Sequence, residues 1–273
     1  MTKRSARQAL INAPYMLWAG IFIVVPLFIV MYYAFTDSTG AFSFANILAL
    51  ADYAEVFRVS IIFSVIATII TLLIGYPFAY CLTKLPVRAQ RMQMMLVMLP
   101  MWMNLLIRTY SWMNILEKNG LINTVLSGLG LPTANMIGTP GAVILGMVYN
   151  YLPYMILPIY TTMAKIDPSL SEAAEDWGCN ACQKMRRLIV PMSIPGVVSG
   201  ITMVFVPSIS TFYISQKLGG GKILLIGDII ERQIQVSYNY NLGASLSFVL
   251  MVLILISMAI MNRFSNGEGE MVV

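Results

Sequence analysis

Ser60-Ile-Ile-Phe-Ser-Val-Ile-Ala-Thr-Ile-Ile-Thr-Leu-Leu-Ile-Gly-Tyr-Pro-Phe-Ala-Tyr-Cys-Leu82 carries no charged side chain, and Arg58 and Lys84 flank it. A helix crossing a bilayer needs about 20 mostly apolar residues, and this stretch supplies them with a basic residue beyond each end. The signature recurs at Tyr15–Phe35, Met92–Trp112, Gly141–Met163, Pro191–Tyr213 and Gly243–Met261, so six crossings are expected, the third the least apolar. The whole chain agrees. Of 273 residues 58% are hydrophobic and 11% charged, with a mean hydropathy of +0.77; soluble domains carry roughly 25% charged residues. A soluble core of this size cannot hide so much apolar surface. An ordinary soluble enzyme, a disordered chain and a secreted disulfide scaffold are excluded. The expected class is an all-α polytopic membrane protein, one transmembrane domain over 1–273, with lipid as its solvent.

The net charge of +5 does not mark a nucleic-acid binder, because the basic residues form neither a stripe nor an aromatic platform. They orient the chain. Lys3, Arg4, Arg7, Lys84, Arg88, Arg91, Lys165, Lys184, Arg186, Arg187 and Arg263 fall on one side of a six-span topology. Arg58, Arg108, Lys118, Lys217, Lys222 and Arg232 fall on the other or at span ends. Basic loops remain cytoplasmic, so both termini are expected inside. The first apolar run fills a whole span, longer than the h-region of a cleaved signal peptide, and reads as an uncleaved anchor. Pro26, Pro77, Pro100, Pro153, Pro158, Pro195 and Pro207 lie in or near spans, where neighbouring helices can satisfy the carbonyls they free. Gly196 and Gly200 form a GxxxG spacing that permits a close helix contact.

The segment 165–190 behaves differently from the other connections. Asp167-Pro168 offers an N-cap acceptor followed by proline at the first helical position. Leu170, Ala173, Ala174 and Trp177 then repeat at i, i+3, i+4 and i+7, one apolar face, with Glu172, Glu175 and Asp176 beside it. Gly178 ends the helix, and a second short helix carries Ala181, Met185, Leu188 and Ile189 before Pro191 opens the fifth span. An interfacial helix lying on lipid carries a basic polar face. This one is acidic, and its small alanines beside a tryptophan suit docking into a groove of another protein.

Glu172-Ala173-Ala174, three residues, Gly178, nine residues and Leu188-x-Val190-Pro191 resemble the EAA motif in the permease subunits of ABC-type importers. The motif prefers Ile and Leu where Leu188 and Val190 stand, both apolar exchanges. Pro100-Met-Trp102 with Asn104-Leu-Leu-Ile-Arg108-Thr-Tyr110 is similar to the third span of the B-type permeases of spermidine/putrescine importers. Tyr151-Leu-Pro153-Tyr154 through Pro158-Ile-Tyr160, and Phe212-Tyr213-Ile-Ser215 through Leu224-Leu-Ile-Gly227, are similar as well.

The resemblance implies the type I ABC importer permease fold in a bacterial plasma membrane. It implies that Glu172, Ala173, Ala174, Trp177 and Gly178 form a coupling helix docked on a cytoplasmic ATPase dimer. It also implies a second, homologous permease subunit and an extracytoplasmic polyamine-binding protein. No catalytic residue, cofactor or metal is expected of this chain. Gly219-Gly220-Gly221-Lys222 is not a phosphate loop, which needs Gly and Ser/Thr where Gln216 and Ile223 stand. Cys179-Asn-Ala-Cys182 has no second ligand pair, and the sequence has no histidine.

A polycation calls for carboxylates and aromatic faces. The expected spans hold no Asp or Glu. The candidate pathway groups are Trp102, Asn104, Tyr110, Tyr149, Asn150 and Tyr154, with Asp228 and Glu231 at the outer entrance; most negative charge is expected from the partner permease. Arg108, the one deep charge, is expected either to pair with a partner subunit or to snorkel to the outer surface. The alternatives are a permease for another small solute, a stand-alone secondary transporter or channel, which would need its own ion-coupling groups, and an intramembrane enzyme, which would need clustered bases.

Overall fold

In the computed structural model, residues 14–37 and 39–269 are described; Lys3, Arg4 and Arg7, on which the inside placement of the N-terminus leans, lie outside them. The described residues are overwhelmingly helical. Their one β pairing is an isolated bridge between Thr36 and Phe42.

In chain order the principal helices are α1 (Pro14–Ala34), α2 (Ala54–Thr83, entered through short helical turns Ala45–Leu48 and Ala49–Tyr53), α3 (Val87–Trp102), α4 (Leu105–Leu116), α5 (Leu121–Gly128), α6 (Pro140–Met163), α7 (Pro168–Asp176) and α8 (Ala181–Lys184). A π turn, Met185–Ile189, joins α8 to α9 (Val190–Ile209); α10 (Tyr213–Leu218), α11 (Ile226–Gln235) and α12 (Tyr240–Gly269) follow. Five stretches are long and apolar enough to cross a membrane: Pro14–Ala34, Ala45–Thr83, Pro140–Met163, Ala181–Ile209 and Tyr240–Met261.

The expected third crossing, Met92–Trp112, is divided. The backbone turns extended at Met103, and Asn104 caps α4 by accepting the Leu106 N–H at 2.7 Å. Asparagine competes for backbone donors in this way, so an apolar window that would suit one helix holds two.

The chain falls into two compact units. One joins the segment up to Glu55 with Ile229–Leu253; the other joins Val56–Asp228 with the segment from Ile254. In the first, the end of α1 is tied to the start of α12. Asn241 donates to the Thr36 carbonyl at 2.7 Å, Ser245 donates to the Ala34 carbonyl at 3.0 Å, and Phe248 meets Phe35 edge to face at 5.4 Å.

The second unit is built on α6 and α9. Gly196 and Gly200 lie against α6, where a Cβ would fall 2.6 Å from Thr162 Oγ1 and 2.8 Å from Met155 Sδ. The GxxxG spacing is therefore a backbone-close contact. Around it Met147, Met155, Ile156, Ile159 and Val204 are fully or almost fully buried. Many hydroxyls on the apolar helices are satisfied by nearby backbone carbonyls. Ser60, Ser64, Thr68 and Thr71 line one side of α2, each hydroxyl donating to the carbonyl four residues back at 2.5–2.8 Å. Thr162 likewise donates to the Pro158 carbonyl at 2.9 Å, and Tyr151 donates to the Pro207 carbonyl at 3.2 Å. Unpaired, such groups would each cost a few kcal/mol in an apolar medium.

Candidate coupling site and pathway residues

The elbow between α6 and α9 is built from local signals. Asp167 caps α7, its carboxylate accepting the Ser169 N–H at 2.9 Å, and this contact holds its pKa below the usual carboxylate range. Gly178 sits at φ 78°, the Gly178 N–H donates to the Glu175 carbonyl at 2.8 Å, and the Cys179 N–H donates to the Ala174 carbonyl at 3.0 Å. That pair is a Schellman turn, which needs a left-handed residue at this position. Asn180 and Gln183 then form a reciprocal capping box that starts α8, a spacing legible in the sequence but not read there.

α7 is two-sided. Leu170 and Ala173 are uncovered and Trp177 is 90% exposed, while Ala174 is half-buried. On the other side Ser171, Glu172 and Glu175 line a cavity of mixed polar and apolar character with Tyr80 of α2, Lys84 of the following turn and Gln90 of α3. Glu172 therefore stands over that cavity rather than on the open apolar face. Glu175 is ion-paired with Lys184, which is 91% buried by its neighbours, 9% remaining exposed. The bridge ties α7 to α8 across the turn and lowers the Glu175 pKa, first through the hydrogen bond from Lys184 and then through its charge.

The pathway candidates do not form one cluster. Trp102 is exposed at the end of α3. Asn104 is engaged as the α4 cap. Tyr110 lies beside Tyr213 and under Lys217. Tyr149 packs edge to face on Trp112 at 5.3 Å, and Tyr154 tilts against Tyr151 at 6.4 Å. Asn150 is 2% exposed and donates to the Gly146 carbonyl at 2.8 Å. Asp228 is 3% exposed, and its Oδ2 accepts the Leu225 N–H at 2.7 Å; it is a buried group at the start of α11 rather than an open entrance charge. Glu231 is half-buried on α11. Arg108 is 8% exposed, so it does not snorkel; its Nε and Nη1 have no hydrogen-bond partner among the described residues. No three His, Cys, Asp or Glu side chains gather as a metal site among the described residues.

The sequence profile of the binding-protein-dependent transport system inner membrane component family matches residues 74–267. The chain belongs to this family. It is a multi-pass inner-membrane transport component. It is 37% identical over 232 residues to the spermidine/putrescine transport system permease protein PotB of Haemophilus influenzae, covering 81% of each chain. Identity to PotB of Escherichia coli is 36% over 226 residues, covering 79% of this chain and 82% of the relative. Among solved structures, a bacterial ABC transporter that imports the acidic polysaccharide alginate superposes with a TM-score of 0.78 at 18% identity, covering 97% of this chain and 96% of that one. The MetNI methionine ABC transporter superposes with a TM-score of 0.59 at 16% identity, covering 77% and 93%. At these identities the structural matches establish the fold, that of ABC importer permeases.

Proposed function

We propose that this chain is the permease subunit of an ATP-driven polyamine importer, with spermidine and putrescine as substrates. The observation that carries the reading is the 37% identity, running across 81% of the chain, to a permease named for spermidine/putrescine transport. The chain contains no phosphate-binding loop, so a separate ATPase dimer hydrolyses ATP. The uncovered face of α7, Leu170, Ala173 and Trp177, with Ala174 at its edge, docks into that ATPase on the cytoplasmic side, where both termini also lie. Glu172 acts from the opposite side, over the cavity that it lines with Glu175. A second permease of the same family completes the pathway, and an extracytoplasmic binding protein delivers solute. The whole chain works as one permease domain, with residues 165–190 as its coupling loop.

The elbow geometry supports the transmission this requires. Closing of the ATPase dimer displaces α7. The Schellman turn, the capping box and the Glu175–Lys184 bridge leave little slack before α9, and the close α6–α9 packing at Gly196 and Gly200 passes the motion on as a rigid body. The rings of Trp102, Tyr110, Tyr149 and Tyr154 offer faces for ammonium groups, and most of the negative charge comes from the partner permease. Asn104 and Asn150 shape the backbone around the pathway.

The test is reconstitution of the permease pair, ATPase and binding protein in liposomes with labelled spermidine, putrescine, a sugar and an amino acid. ATP-dependent accumulation of the polyamines alone is expected. Accumulation of another solute class overturns the substrate assignment, and accumulation without ATP overturns the importer.

A further inference from the structure

Lys217, on α10, faces two tyrosine rings. Its Nζ lies 5.1 Å from the centroid of Tyr110 and 5.7 Å from that of Tyr213. The two rings meet edge to face, 6.2 Å apart at 75°, so one ammonium is shared between them. Tyr110 comes from α4 and Tyr213 opens α10, and packing of these helices within one compact unit creates the arrangement. Among the described residues Lys217 forms no ion pair. Its charge lies against π faces, which attract an ammonium within about 6 Å of a ring centroid, and beside the Tyr110 hydroxyl, whose oxygen accepts from Lys217.

A lysine side chain is a four-carbon arm ending in a primary ammonium. One end of putrescine, or the aminobutyl end of spermidine, has the same chemistry. We propose that the Tyr110–Tyr213 pair is a subsite for a primary ammonium of the transported polyamine, and that Lys217 fills it as a tethered surrogate in the state described here. The inference rests on the polyamine reading and adds to it a place and a competitor. Cation–π attraction without a carboxylate holds an ammonium weakly, which suits a pathway that must also release it. A polyamine ammonium enters only when Lys217 leaves, so the apparent affinity is lowered by the fraction of time the pair is occupied.

The experiment measures equilibrium binding of labelled spermidine to the complete permease–ATPase complex in nanodiscs, without binding protein, alongside ATP-driven uptake by the full importer. Lys217→Gln empties the pair and is expected to tighten binding by about threefold or more. Lys222→Gln removes a positive charge that follows α10 in the chain and lies beside Gly138, and is expected to leave binding as in the native complex. In the K217Q background, Tyr110→Leu is expected to abolish the gain and Tyr110→Phe, which keeps the ring face but loses the hydroxyl acceptor, to retain part of it. Native or weaker binding by K217Q, an equal gain from K222Q, a gain indifferent to Tyr110→Leu, or no binding to any form overturns the proposal. If the native importer still accumulates polyamines in such a case, the functional reading stands and only the subsite fails; if it accumulates none, the functional reading fails first.

Discussion

Replacing Gly178 separates the shape of the elbow from the chemistry of its surface. A Cβ built at Gly178 has nothing within 4 Å, and the residue sits at φ 78°. A side chain there meets no neighbour, so the cost of substitution is conformational. An L-residue in the left-handed region costs about 1–2 kcal/mol; asparagine tolerates the region better, and a β-branched residue fares worse. The two Schellman hydrogen bonds, 2.8 and 3.0 Å, form only in that conformation. If the ATPase binds α7 with this turn intact, docking must restore the turn in each variant and its affinity falls by the strain. Gly178→Ala should weaken attachment by about 5- to 30-fold, Gly178→Asn should stay within about threefold of native, and Gly178→Val should lose more than alanine. The assay is titration of the purified ATPase onto permease in nanodiscs, with uptake measured in parallel. Equal affinity across the series, or asparagine as damaging as valine, refutes the argument that backbone conformation governs docking.

Trp177→Ala should leave permease stability within about 0.5 kcal/mol, since the ring is 90% exposed, while weakening ATPase attachment by about 2 kcal/mol or more; thermal melting and ATPase titration of the same preparation separate the two. Gly200→Leu places atoms 2.8 Å from Met155 Sδ and 3.2 Å from its carbonyl, and backbone cannot step aside, so a loss of about 1–3 kcal/mol is expected in detergent melting, whereas Gly128→Ala, with nothing within 4 Å, should be neutral. The Glu175 carboxyl is held below its ordinary value by Lys184, so its contribution is complete above the unfolded pKa of about 4.3 and is lost as pH falls through the lower folded value. The melting difference between native protein and Glu175→Gln should therefore persist at neutral pH and vanish in acid; a difference that grows as pH falls contradicts the bridge.

The features legible in the sequence were those carried by local chemistry or by long apolar runs. The Ser60–Leu82 run is covered by α2, Asp167-Pro168 starts α7 and Gly178 ends it, and Gly196 and Gly200 mark a close helix contact. The divided third crossing was hidden because an apolar window averages over 20 residues, whereas the break depends on one side chain, Asn104, capturing one backbone N–H. The same capture explains why an amide that reads as a pathway group is engaged in structure. Burial of Arg108 and Asp228, and the bridge from Glu175 to Lys184, depend on which helices pack together, and no spacing along one helix encodes that. The Lys217 contact with Tyr110 joins residues far apart in the chain and was likewise invisible.

The central claim is that the uncovered face of α7 is where an ATPase takes hold. The most direct measurement is cross-linking in the assembled importer, with Cys81, Cys179 and Cys182 replaced by serine and one cysteine introduced by Ala173→Cys, probed with a short thiol–thiol reagent against single cysteines on the ATPase surface. The account expects an adduct between the permease and the ATPase, with Ala173→Cys labelled only from the cytoplasmic side. Labelling from the exterior, or no ATPase adduct from any surface position while the complex remains assembled, would contradict it.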